Sequence, residues 1–395
     1  MKCDEGRERR ACVTRSNIKS KFTKYDSLAI KGIAILMMLM HHNFWKKELF
    51  EKYTIDFRPF TESFIVDLAL SFKICVSLFV FITGYGLTLS LKRQQEAMGC
   101  KEQSKWIINR LISVLSGYWF IAILAYTVCE ILSKRTTEIF FNNGILEGCA
   151  KLMINFMGLS NLFDISTYNG TWWYMSAAVV FVCLVPIFYK IAKQHGYLSL
   201  IFLGVGLPRI LQIGYPGGTA LLSFILPLIL GMTFAEYDLL ARLKEAKVYK
   251  QGDGINKGIK FVLATIMLVS MFKLYIALPN EKFWDIKWGI IPVFVIYYCY
   301  EFIIDLPILR SVLIYLGRHS MNIFLVHTFI RYYYLSDLNY GFEHFLLINV
   351  FLLASSLVLS HAIEGLKSVL RYEKWMSRLT QFANRQIDRV YSVEL

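Results

Sequence analysis

The stretch Tyr25–Trp45, YDSLAIKGIAILMMLMHHNFW, constrains this chain most. As a helix it is long enough to cross a bilayer, which takes about 20 mostly apolar residues. It nevertheless carries Lys31 near its start and two adjacent histidines, His41 and His42, near its end. Ionisable side chains are costly in hydrocarbon, so within a spanning helix they face a polar cavity and mark a functional path. Histidine is the side chain best suited to move a proton at neutral pH. A membrane helix holding a buried cation and a buried base points to chemistry inside the membrane.

The rest of the chain agrees with a membrane setting. Of its 395 residues 56% are hydrophobic and only 18% charged, which excludes an ordinary soluble domain. Phe, Tyr and Trp reach 15%, as where rings anchor at both interfaces. The net charge of +14 does not imply nucleic acid. Its basic residues flank the apolar runs, where orientation and contact with anionic membrane lipids account for them. The eight cysteines are scattered, most of them in apolar runs, and no CxxC or Cys/His spacing suggests a metal site. They read as small packing residues. The basic start lacks a small-residue cleavage site and the run after it is long, so that run is expected to stay as the first span.

Ten apolar runs suit a crossing: 27–45, 66–91, 106–132, 172–191, 197–213, 219–235, 258–277, 287–304, 311–334 and 344–366. With ten spans both termini share one side, and positive charge should collect there. The connections and tails on that side hold 26 Lys and Arg, against 8 on the other. The expected fold is therefore all-α, a polytopic integral membrane protein of about ten transmembrane helices with both termini cytoplasmic. A basic cytoplasmic tail (1–24) and a second one (367–395) bracket a transmembrane domain (25–366). The longest outer connection, 133–171, includes an apolar segment, Ile145–Leu162, that reads as a re-entrant or interfacial helix. Residues 236–257 read as an amphipathic cytoplasmic connector.

Depth along the spans sorts the ionisable residues. Lys31 lies one turn inside the inner end of the first span, and His42 stands 11 residues, or about 16 Å, further out. In the ninth span Arg318 and His319 are again inner, and His327 lies nine residues beyond Arg318. Arg110 sits near the inner end of the third span. These positions suggest a cavity with a cationic inner part (Lys31, Arg110, Arg318) and an imidazole outer part (His42, His327). The cations suit an anionic cytosolic ligand, such as the phosphates of a nucleotide-bearing acyl donor. The imidazoles suit removal of a proton from a hydroxyl as it attacks a carbonyl. The bland alternatives are a Lys31 and an Arg110 that merely reach the headgroups and histidines that merely pack. His41 and His42 project about 100° apart on a helix, so one of them is expected to face the cavity and the other a neighbouring helix or the interface. Arg209 and Lys73 either pair with an acidic residue or line the outer side. His195, His344 and His361 receive no role.

The same residues carry a resemblance to the acyltransferase 3 family of membrane O-acyltransferases, over nearly all of 25–366. Lys31-Gly32-Ile33-Ala34 followed by His42 resembles the family's first helix, a cation, Gly-Ile/Leu-Ala, and a histidine 11 positions after the cation. Phe79-Val80-Phe81-Ile82-Thr83-Gly84-Tyr85 is similar to an apolar run ending in Ser-Gly-Phe/Tyr. Arg110 with Tyr118-Trp119 resembles an Arg-x-x-Arg…Tyr-Trp segment, with Ser113 in place of the second Arg. Asn169-Gly170-Thr171-Trp172-Trp173-Tyr174 is similar to the family's fourth-span start, and Leu316 to His327 to its Gly-x-x-Ser…Leu-x-His segment. The resemblance implies transfer of an acyl group, usually acetyl from acetyl-CoA, to a hydroxyl of a cell-envelope glycan or lipid-linked saccharide. It implies His42 as catalytic base, with His327 orienting the sugar or assisting. Lys31, Arg110 and Arg318 would lie near the donor phosphates. Trp172 and Trp173 would be sugar-stacking platforms or ordinary interfacial tryptophans. Some family members carry an extracytoplasmic esterase-like domain; none is expected here, so the chain is expected to finish the transfer alone or hand the acyl group to a separate extracytoplasmic transferase. The expected location is the cell membrane, multi-pass. The rivals are a transporter or flippase of polysaccharide or a small solute, which buried charges also suit, and a non-catalytic assembly subunit.

Overall fold

A computed structural model describes residues 21–94, 99–214, 216–249 and 252–393. All but the last four residues of the expected tail 1–24 lie outside this range. The regular structure of the described residues is all helical, joined by turns and loops, with one isolated bridge between Asp56 and His344. Seven helices are long and apolar enough to cross a membrane. They are α1 (Lys24–Phe44), α2 (Glu62–Arg93), α3 (Cys100–Ser133), α4 (Gly170–His195), α7 (Asp253–Ala277), α8 (Lys282–Ile303) and α10 (Phe345–Val369). The other three expected spans are less regular. α5 (Tyr197–Ile210) is short and contains a π turn at Phe202–Gly206. α6 (Leu221–Glu236) bends by 65° into a short helix, Leu239–Glu245. α9 (Pro307–Thr328) has the length but also carries Arg310, Arg318 and His319, and it runs on into a π turn, Phe329–Tyr334.

α1 begins at a reciprocal cap. Asp26 N–H donates to Thr23 Oγ1 (3.3 Å), and Thr23 N–H donates to Asp26 Oδ2 (2.8 Å). This satisfies backbone donors that a helix start leaves open. The other oxygen of Asp26 accepts from Arg310 Nη2 at 2.9 Å, which ties the start of α1 to the start of α9. One and a half turns on, the two backbones touch. A Cβ on Gly32 would stand 2.2 Å from the Leu313 carbonyl oxygen, and one on Gly317 would stand 1.9 Å from that of Leu28. Only glycine permits so close an approach, the usual way membrane helices pack without a hydrophobic drive between them. α2 and α6 repeat the device: a Cβ on Gly84 would meet the Leu228 carbonyl oxygen at 2.4 Å, and one on Gly231 that of Phe81 at 2.1 Å.

Charge pairs fix the helix ends around these two contacts. Glu236 at the end of α6 accepts from Lys193 of α4 (2.9 Å), and its backbone carbonyl accepts from Lys92 of α2 (2.8 Å). Lys260 of α7 and Glu301 of α8 form a buried pair at 2.6 Å. Arg209 of α5 grips Asp285 at the start of α8 through two nitrogens, so it pairs with an acidic residue. α7 leaves Val262 and Ile266 exposed and α10 leaves Leu346, Val350 and Val358 exposed, apolar faces suited to lipid. The apolar outer connection folds into Arg135–Phe140 and the amphipathic helix Ile145–Phe156, whose Ile145, Leu146 and Met153 are exposed.

The expected tail 367–395 is an ordered helix, α11 (Tyr372–Val393), laid against α3. Asp388 of α11 pairs with Lys101 (2.7 Å) and Lys105 (2.6 Å), which together hold its carboxyl below the usual carboxylate range. Tyr372 donates to the Ser116 carbonyl at 2.8 Å.

Gly317→Val should force α1 and α9 apart and destabilise the detergent-solubilised protein by about 2 kcal/mol or more, read as a lowered melting temperature. Gly365→Ala, where a Cβ meets nothing within 4 Å, should leave the melting temperature unchanged or slightly raised.

Candidate active site

α1, α2, α3, α4 and α9 enclose a cavity of about 650 Å³. Its wall follows α1 from Lys31 to Trp45, about 21 Å along the helix axis. That is most of a hydrocarbon core of about 30 Å. Three cations, Lys31, Lys73 and Arg331, lie on the wall, and no carboxylate does among the described residues.

The α1–α9 contact sets the histidines. Both helices run the same way, and His42 and His327 each stand ten residues beyond the glycine of the crossing. The two rings therefore arrive at the same height, about 15 Å from the contact, with centroids 4.9 Å apart. His42 faces the cavity, and no hydrogen bond to its ring is found among the described residues. His327 lies behind it, fully buried. Its Nδ1 sits 2.9 Å from the Phe324 carbonyl and 3.1 Å from that of Ile323, so this nitrogen carries the proton and donates. Nε2 is left as an acceptor, 3.2 Å from the Thr328 hydroxyl. Thr328 Oγ1 lies 3.4 Å from Thr171 Oγ1, which donates to Asn169 Oδ1 at 3.0 Å. A buried polar chain thus fixes the His327 ring and its tautomer.

His41 also reaches the cavity wall. Its Nδ1 donates to the Ala69 carbonyl of α2 at 2.8 Å, and its ring stacks on Trp45 at 5.8 Å. His41 thus reaches the wall but is pinned to a neighbouring helix, while His42 stays open to the cavity.

The other expected site residues separate. Lys31 lines the cavity at the end away from the histidines. Arg110 is off the wall, beside Ser113 and Val114, which are on it; its Nη2 donates to Ser90 Oγ at 2.6 Å, and it stacks on Trp106 at 5.8 Å. Arg318 is exposed and off the wall, so the structure does not bring it to Lys31. Trp173 lines the cavity and stacks on Phe224 at 5.6 Å. Trp172 is buried, and its indole nitrogen donates to the Leu325 carbonyl at 3.0 Å, so it anchors α9 two residues before His327.

Two cations on the wall carry weaker sequence signals. Lys73 sits in a 3₁₀ turn, Phe72–Ile74, that interrupts α2 one turn after Ala69, and its ammonium lies 5.3 Å from the Trp288 ring centre. Arg331 falls four residues after His327, a helical spacing that was readable in the sequence, yet it lies near the end of an apolar run where basic residues are commonplace. In the structure it is 7% exposed. Thr83 and Tyr174 complete the middle of the wall.

Trp172→Phe should cost about 1 kcal/mol of stability through the orphaned Leu325 carbonyl, measured by thermal melting. Trp173→Ala, a change at the cavity wall, should instead alter acceptor use by more than it alters melting.

A family model described as an acyltransferase domain, that of the acyltransferase 3 family, matches residues 26–364. No curated protein and no solved structure matches the chain. The matched segment contains every helix that lines the cavity, from Lys31 and His42 through Trp173 to His327 and Arg331. The chain belongs to the acyltransferase 3 family and is a membrane acyltransferase.

Proposed function

We propose that the protein is an O-acetyltransferase of the cytoplasmic membrane, with ten spans and both termini in the cytoplasm. It moves acetyl from acetyl-CoA to a hydroxyl of a cell-envelope polysaccharide or lipid-linked sugar. The observation that carries this reading is the single cavity joining Lys31 at one end to the His42–His327 pair at the other. A soluble anionic donor and an extracytoplasmic acceptor need such a passage to meet without either crossing the membrane.

In this reading Lys31 on the wall and Arg110 close to it attract the donor's phosphates. Arg318, exposed and off the wall, takes no part. His42 accepts the proton of the acceptor hydroxyl as its oxygen attacks the thioester carbonyl. The C–O bond forms, the C–S bond breaks, and the proton passes from His42 to the departing thiolate. His327 positions His42 from behind. Trp173 offers a flat face to a sugar ring. The acetyl group goes directly to the final acceptor or to a separate extracytoplasmic transferase.

The test supplies labelled acetyl-CoA to inverted membrane vesicles and measures base-labile acetyl on envelope glycan. His42→Ala at equal expression should reduce labelling by about 100-fold or more, as for loss of a general base. His327→Ala should reduce it less, by about tenfold. Equal labelling by wild type and His42→Ala removes His42 as the base. No labelling and no CoA release by wild type replaces the enzyme with a transporter.

A further inference from the structure

The cavity wall holds two cations that the proposed reaction does not use. Lys73 sits about one turn from the histidine layer on the Lys31 side and Arg331 about one turn beyond it on the other side, so their long side chains flank the layer between them. Lys73 lies four residues after Ala69, whose carbonyl holds His41, and Arg331 lies four residues after His327, whose ring meets His42. Neither has a carboxylate partner within 4 Å among the described residues. Arg331 is more than nine-tenths buried, and its Nε has no hydrogen-bond partner. Its neighbours are the Tyr332 ring and the Tyr340 hydroxyl, which accepts a hydrogen bond from the guanidinium but carries no counter-charge. A buried guanidinium without a carboxylate is costly, and such charges persist where a ligand completes them.

Elsewhere buried Lys260 meets Glu301, and the half-exposed Arg310 and Arg209 meet Asp26 and Asp285. The wall cations have no such carboxylate among the described residues. Lys31, the third wall cation, stands at the far end, too distant from the histidine layer to share one anionic group with Arg331.

We propose that Lys73 and Arg331 form an oxyanion-binding subsite beside the histidine layer, so that the acceptor is an acidic saccharide bearing a carboxylate or a phosphate. This rests on the acyltransferase reading and narrows its acceptor. The planar guanidinium suits either oxyanion in two-point contact, and the ammonium supplies a second charge. Held there, the saccharide presents a neighbouring hydroxyl to His42 within the same cavity.

The test uses the purified full chain in lipid nanodiscs, with methyl β-D-glucuronide, glucose 1-phosphate and methyl β-D-glucoside as probes in equilibrium binding. At least one charged probe should bind about tenfold or more tightly than the neutral glucoside, as charge-assisted bonds imply. Preference for the glucuronide identifies a carboxylate sugar, and preference for the phosphate a phosphorylated or lipid-linked one. Lys73→Gln and Arg331→Gln should each lower the preference at least fivefold, the pair should abolish it, and Arg331→Lys should retain part of it. Melting temperatures of the Gln variants should hold or rise, because an unpaired buried charge has been removed; a purely structural role would lower them. Equal or undetectable binding of all three probes by wild type, or a preference that survives in the double variant, overturns the subsite. Labelled acetyl-CoA consumption by wild-type vesicles is read in parallel. Charge preference without acetyl transfer leaves the subsite and removes the enzyme reading, and transfer without charge preference does the reverse.

Discussion

The backbone contact between α1 and α9 is the constraint on which the site depends. Gly32 and Gly317 let the two helices meet carbonyl to Cα, and the Asp26–Arg310 pair fixes their ends against sliding. Neither histidine helps to make this contact, yet the equal offset of ten residues brings both to one level. The glycines and the ion pair therefore act as positioning elements for two imidazoles about three turns away. The second glycine contact, Gly84 with Gly231, does the same for α2, which carries Lys73 and Thr83 to the opposite wall.

Charge is distributed by purpose. At helix ends and between peripheral helices it is paired, where a pair resists separation of two elements without leaving an orphan. On the cavity wall Lys31, Lys73 and Arg331 have no carboxylate partner among the described residues, which costs stability. Local instability of this kind is what binding sites commonly carry. A variant that neutralises the wall would be a more stable and less selective protein.

Much of this was legible in the sequence, because helix length, a periodic apolar stripe and a cation-to-histidine spacing are local properties. Tyr25–Trp45 alone announced a spanning helix with Lys31 and His42 on a polar path, and both are on the wall. What was not legible depended on rotation about a helix axis and on neighbours distant in the chain. Arg318 has the depth expected of a donor ligand but turns to the exposed face. Trp172 and Trp173 are adjacent, and the structure sends one into the core as a hydrogen-bonded anchor and the other to the cavity. The break at Phe72–Ile74, which aims Lys73, contains neither Pro nor Gly to signal it. The ordered helix Tyr372–Val393 reads as a tail because its polar residues outnumber its apolar ones, and only its packing on α3 shows otherwise.

The glycine contact is also a fulcrum. With the imidazoles about 15 Å along both arms, each degree of change in the crossing angle moves the rings by about 0.3 Å relative to one another. A shift near 1 Å between reacting groups is enough to change a rate by orders of magnitude. Spanning helices adjust their tilt to the thickness of the surrounding bilayer. The geometry therefore makes lipid chain length a mechanical input to the spacing of the two imidazoles, delivered through two glycines about three turns away.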